Sequence, residues 1–197
     1  GRFQVLSGGW ETAVEIEGRS QHPSGPWQEV CEYTDDDVHY LEIEQSWTGG
    51  LLLQRQILLI RDDRCVLFAD AVLPNDDPTD SAAADSDRAD IGSIRYMSRI
   101  PLGRRVQAEA EEETREIMIA TGRRRTMVLP LAAGEWRVGA TTCTLSVSDD
   151  QHLAIAMQGK HRLYAPLWFD LQPRRIKRKR TWRQLTVTDQ LRIVGND

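Results

Sequence analysis

An all-β fold, an antiparallel β-sandwich of stacked or extended sheets with little or no helix, is what this sequence predicts, on three observations. Apolar residues recur at every second position along most of the chain, the apolar runs are short, and Gly, Asp or Asn-type turn residues separate them. About a dozen such runs share 197 residues, without a convincing helical stretch, and that pattern belongs to sandwiches. The length suits one β domain with a single sizeable core.

Taken in order, "WETAVEIE" puts Trp10, Thr12, Val14 and Ile16 on one face and Glu11, Ala13, Glu15 and Glu17 on the other. "VHYLEIEQSW" groups His39, Leu41, Ile43, Gln45 and Trp47. "LLLQRQILLI" is denser and reads as a strand covered on both faces; Thr48-Gly49-Gly50 precedes it, and Asp62-Asp63 leads on into "RCVLFADAV". The alternation returns in "SIRYMSRI", "REIMIA", "TMVLPL", "EWRVGA", "CTLSVS", "HLAIAM", "HRLYAPLWF", "WRQLTV" and "LRIV". "GRRVQAEAEEETREIMIA" could be argued as a helix, but its apolar residues step by two within each half. Two strands joined at the glutamate run are therefore expected.

One stretch breaks the rhythm. Pro74 to Gly92 carries six Asp and two Pro and almost nothing large and apolar. Such composition cannot bury itself, so an acidic, mobile or extended loop is expected over 74–92. Its clustered carboxylates invite a calcium reading, yet the glycine and closing glutamate of an EF-hand are missing. The expectation is no metal.

Hydrophobic content of 40% and charged content of 28% are those of a globular domain, and the net charge is −5. An acidic total opposes general attraction to nucleic acid. No apolar run approaches the roughly 18 residues of a membrane span, so membrane insertion is not expected. The chain opens on Gly1 rather than Met; residues 1–197 are expected to form one β-sandwich domain of a larger protein, with additional domains in the parent chain. Compartment stays open.

Cys31, Cys65 and Cys143 are far apart and odd in number, and are expected as small buried strand residues rather than ligands. His22, His39, His152 and His161 are scattered without ligand spacing. There is no nucleophile elbow, phosphate loop or dinucleotide fingerprint, so no cofactor is expected and no catalytic residue is nominated.

The stretch Tyr40 to Val72, "YLEIEQSWTGGLLLQRQILLIRDDRCVLFADAV", pairs an Arg-bearing strand with a charged turn and a strand closing in Asp. The elements are Arg55, Arg61-Asp62-Asp63-Arg64 and Asp70. Over these 33 of 197 residues the pattern resembles the β-sandwich domains of heparinase II/III-like (polysaccharide lyase-type) proteins. That resemblance implies a C-terminal sandwich beside a helical catalytic domain in a carbohydrate-degrading or polysaccharide-binding protein. None of the family's catalytic His, Tyr or Asn positions falls on this chain, so no catalytic role is carried over.

Six tryptophans stand against three Phe and four Tyr, more than either alone. Flat indole faces stack on sugar rings, although sandwich cores use Trp as well. Trp27, in "SGPWQ", and Trp47, before the Thr-Gly-Gly turn, lie nearest to loops and are the expected exposed platforms. Pro173 to Arg183 holds seven Lys or Arg among eleven residues. Both faces of its leading half are charged, so it must be exposed, as a loop or an edge strand. Lys177, Arg178, Lys179 and Arg180 are the candidate contacts for an acidic polysaccharide; neutralisation by the chain's own acidic segments is the plainer account.

The leading functional expectation is a non-catalytic accessory or polysaccharide-binding module. A structural or protein-interaction domain without its own ligand is the second, and a carbohydrate-active enzyme of lyase or hydrolase type the third.

Overall fold

Alternating side chains become strands along nearly the whole chain. The computed structural model describes residues 5–75, 91–176, 181–188 and 191–196. The first strands are β1 (Glu11–Ile16), β2 (Arg19–Gln21), β3 (Gln28–Thr34), β4 (Val38–Trp47), β5 (Leu51–Ile60) and β6 (Cys65–Pro74). There follow β7 (Ser93–Pro101), β8 (Gln107–Ala110), β9 (Ile117–Thr121), β10 (Arg124–Pro130), β11 (Cys143–Val147), β12 (His152–Lys160) and β13 (Leu163–Asp170). A single helical turn, α1 (Pro173–Ile176), leads to a closing hairpin of β14 (Trp182–Thr188) and β15 (Leu191–Asn196).

Two antiparallel sheets face each other. One has the order β11-β12-β7-β1-β2, and the other β3-β4-β5-β6-β13-β10-β9-β8. Their inner faces supply one core: Val14, Ile94, Ile100 and Ile155 from the smaller sheet meet Leu53, Val72, Ile119 and Leu167 from the larger. Each fully buried aliphatic side chain of this kind contributes about 1.5–3 kcal/mol relative to exposure. A second, smaller cluster sits on the outer face of the large sheet. There Trp182 covers Met127 and Leu129 beside Trp168 and Ile176, and its indole N–H donates to the Ala133 carbonyl at 3.1 Å. The closing hairpin is held to the sandwich by this plug.

The β4–β5 connection shows why the sequence needs two glycines. Trp47 and Leu51 pair directly, and the chain reverses through Gly49 and Gly50 at φ of 72° and 66°. Residues with a Cβ rarely adopt that conformation.

Several expectations are corrected. "EWRVGA", residues 135–140, is not a strand: only Trp136 forms a bridge, to Thr114, and Gly139 turns the backbone away at φ 87°. Strand β5 is not covered equally on both faces. Leu51, Leu53 and Arg55 are buried inward, while their outward neighbours are half-buried. Cys65 and Cys143 are buried, but Cys31 is exposed because β3 is the edge strand of its sheet. Of the basic segment, expected as an exposed loop or an edge strand, Pro173–Ile176 forms a helical turn. Arg175 of that turn is half-buried, its Nε donating to Asp170 at 3.0 Å and its Nη1 to Asp63 at 3.1 Å. The glutamate-run reading agrees with the structure: β8 and β9 pair on either side of it. Pro74 closes β6, and residues 76–90 of the acidic stretch lie outside the described residues.

Candidate functional site

A buried ion pair stands between the two sheets of this sandwich. Arg55 on β5 and Asp70 on β6 are register partners, and both are buried. Arg55 Nε donates to Asp70 Oδ1 and Nη2 to Oδ2, each at 2.7 Å. From the opposite sheet, Tyr96 donates its hydroxyl to Asp70 Oδ2 at 2.6 Å, and Thr12 Oγ1 accepts from Arg55 Nη2 at 2.9 Å. Burial first, then the Asp70 charge and the hydrogen bond to it, hold the Tyr96 hydroxyl well above its ordinary pKa. The network ties the two sheets together with directional bonds.

The guanidinium also stands against two indoles. Its carbon lies 3.7 Å from the Trp10 ring centre and 5.1 Å from that of Trp27, within cation–π range. Trp10 is fixed in turn. Its N–H donates to Ser98, and its ring meets Phe68 edge-on at 5.4 Å. Asp70 and Thr12 occupy Nε and Nη2 of Arg55. Nη1 is left as the guanidinium nitrogen with no protein acceptor among the described residues.

These residues line a groove of about 410 Å³ whose walls include Trp10, Trp27, Trp47, Gln45, His22 and Arg55. One wall is the segment after β2, strapped across the end of β4. Thr48 N–H donates to the His22 carbonyl and Ser24 N–H to the Ser46 carbonyl, both at 2.8 Å, and Gln45 Nε2 holds the Gly25 carbonyl at 2.9 Å. Trp27 is thereby placed over Arg55 from a loop that is itself hydrogen-bonded in place. A groove with indole walls, an amide and a pinned guanidinium suits a ligand with apolar faces and hydroxyl or carboxylate oxygens. The imidazole of His22 and the carboxylate of Glu15 are the titratable groups that line it besides Arg55.

Of the residues nominated from sequence, Trp27 and Trp47 come together here, with different roles. Trp27 is 37% exposed and offers a ring face. Trp47 is only 6% exposed, so it is a wall of the groove packed into the core and not an exposed platform. Its position just before a turn suggested exposure, but Pro23 bridges to it and covers it. Its indole N–H is buried without a hydrogen-bond partner among the described residues. Lys177, Arg178, Lys179 and Arg180 lie outside the described residues. Sequence reasoning missed Trp10 as a groove residue because its period-two neighbours marked it as core. It also passed over Trp136, which is 51% exposed on the irregular stretch taken for a strand. Arg55 and Asp70 were legible as a motif, though their contact was not. No group of three His, Cys, Asp or Glu able to hold a metal ion occurs among the described residues. No helix among them is long and apolar enough to cross a membrane.

No family model matches the chain, and no curated protein does. Among solved structures, it is similar to the heparan sulfate lyase HepC from Pedobacter heparinus, with a TM-score of 0.54 at 11% identity. That alignment covers 89% of this chain and 26% of the other. It is similar also to heparinase III, with a TM-score of 0.53 at 9% identity, over 93% of this chain and 28% of that one. The chain thus spans about a quarter of the length of these proteins. At such identity the likeness is one of fold. Across most of its length, the chain resembles in fold the β-sandwich domain of heparinase II/III-like proteins.

Proposed function

We propose that this chain is the accessory β-sandwich domain of a carbohydrate-related protein, and that it binds a saccharide non-catalytically in the groove beside Arg55. The observation that carries the reading is the partly exposed Trp27 ring standing over a guanidinium whose Nη1 has no protein acceptor among the described residues. A sugar ring can lay its C–H face on Trp27 while a hydroxyl or carboxylate oxygen accepts from Nη1. The pinned Arg55 and strapped loop lower the ordering cost of binding. The likeness of fold to heparan sulfate lyase and heparinase III supports a polysaccharide as the ligand class.

The test is titration of the full chain with neutral and acidic oligosaccharides, followed by tryptophan fluorescence and calorimetry, at low and physiological salt. Saturable binding that Trp27→Ala removes supports the groove. Silence across the panel, or binding that Trp27→Ala leaves unchanged, overturns it.

A second reading, a domain that packs on other protein surfaces, is favoured by the outer face of the five-stranded sheet. Exposed Met97 lines an open hollow of about 410 Å³ there with Ala13, Ala156 and Met157. Loss of assembly on Met97→Asp, with saccharide binding absent, would turn the assignment to that face.

A further inference from the structure

We infer that the opposite end of the sandwich carries a second ligand site, an arginine-rimmed pocket that takes the sulfate or carboxylate group of an acidic saccharide unit. The antiparallel order brings two turns to one end of the large sheet. One is the β5–β6 turn with Arg61 and Arg64, and the other lies between Thr121 and Arg124, which pair at the head of the β9–β10 hairpin. Between them opens a pocket of about 650 Å³ lined by Arg61, Arg64, Arg124 and Arg125. Leu59, Ile119 and Leu171 contribute its apolar surface, and its described lining holds no carboxylate. In a chain of net charge −5, four guanidinium groups converging on one cavity make a local positive field that attracts an anion.

Two further features make this more than a charged edge. Arg61 is fixed, its Nη1 donating to the carbonyls of Asp35 at 2.6 Å and Val38 at 3.0 Å, so ordering it costs little on binding. Thr121, which lines the pocket, is 5% exposed, and its hydroxyl is buried with no hydrogen-bond partner among the described residues. Buried hydroxyls are rarely left so, and a ligand oxygen entering the pocket would satisfy it. Arginine forks match sulfate and carboxylate oxygens in pairs. The apolar floor accepts a ring face, and the volume is that of a small-molecule site rather than of one ion. Arg55 and Leu59 stand four residues apart on β5, about 13 Å between their Cα atoms, so one site can be removed without touching the other.

The saccharide class of the ligand rests on the reading proposed above; the oxyanion pocket does not. The test uses one oligosaccharide that carries no carboxylate, in sulfated and unsulfated forms, with inorganic sulfate and phosphate as separate arms. The proteins are the full chain, Arg64→Gln/Arg125→Gln, Thr121→Val and Trp27→Ala. The expected result is that the arginine pair of substitutions weakens the sulfated form by about ten-fold or more and flattens its salt dependence, while binding of the unsulfated form is unchanged. Thr121→Val should weaken the sulfated form too, at undiminished melting temperature. Equal binding of the sulfated form by wild type and the arginine variant overturns the pocket, whatever Trp27→Ala does. Loss through the arginines with no effect of Trp27→Ala upholds the pocket and removes the groove. Binding of inorganic sulfate or phosphate as tight as that of the sulfated saccharide overturns the saccharide class and leaves a simple anion site.

Discussion

Arg55 and Asp70 stand directly opposite each other on neighbouring strands, and the two-pronged ion pair they close is buried between the sheets. Each residue alone would be a burden on the core. Asp70→Ala should therefore destabilise the chain by about 3–5 kcal/mol, because Arg55 is left charged and buried without its partner. A double replacement, Arg55→Met with Asp70→Leu, should cost much less than that single change. Chemical denaturation of the three proteins checks it. A double variant as unstable as Asp70→Ala would contradict this account of the pair.

Two tryptophans separate stability from binding. Trp182 plugs the outer cluster, so Trp182→Ala should cost about 3–5 kcal/mol and speed hydrogen exchange in β14 and β15 before the rest of the sandwich. Trp27 sits partly in solvent, and Trp27→Ala should stay within about 1 kcal/mol of wild type. Denaturation midpoints and exchange rates read both effects. Equal losses for the two would mean that Trp27 is a core residue.

Acid should find a weak point at the β11–β12 turn. Ser148 donates to Asp150, and Arg99 donates to it and attracts it, lowering the Asp150 pKa from 3.8 to about 2. A carboxyl depressed in the folded state adds stability above its unfolded value and loses it as pH falls through the folded one. The gap in melting temperature between wild type and Asp150→Asn should thus be full at about pH 5 and close between pH 3.8 and about 2. Salt should shrink it, because the group is exposed. A gap that is constant across this window would show that the pairing adds nothing.

Thiol chemistry should report the placement of the cysteines. Burial pushes Cys65 and Cys143 each up to about 11, with Arg175 opposing it at Cys65, whereas Cys31 is exposed on the edge strand. A thiol reagent at neutral pH should modify one group quickly in the native chain and three in denaturant. Three fast groups in the native protein would mean that the strands bearing Cys65 and Cys143 open readily.

What the sequence determined by itself was the local rule. The period of two in "WETAVEIE" and "VHYLEIEQSW" settles strand and inner face together, because successive side chains of a strand point to opposite sides. Thr48-Gly49-Gly50 settles the reversal, because only glycine turns there without strain. Trp27 was legible as a candidate for the groove, since a Trp after Ser-Gly-Pro has no strand to bury it. What only the tertiary structure decided is which faces meet. Trp47 looked loop-exposed and is covered by Pro23, from a segment more than twenty positions earlier. Trp10 looked like core and stacks on Arg55. The arginines of two turns far apart in sequence converge only because β5, β6, β13, β10 and β9 lie side by side in that order. Sheet order is a property of long-range pairing, which loop closure and burial across the whole domain select, and no window of local periodicity contains it.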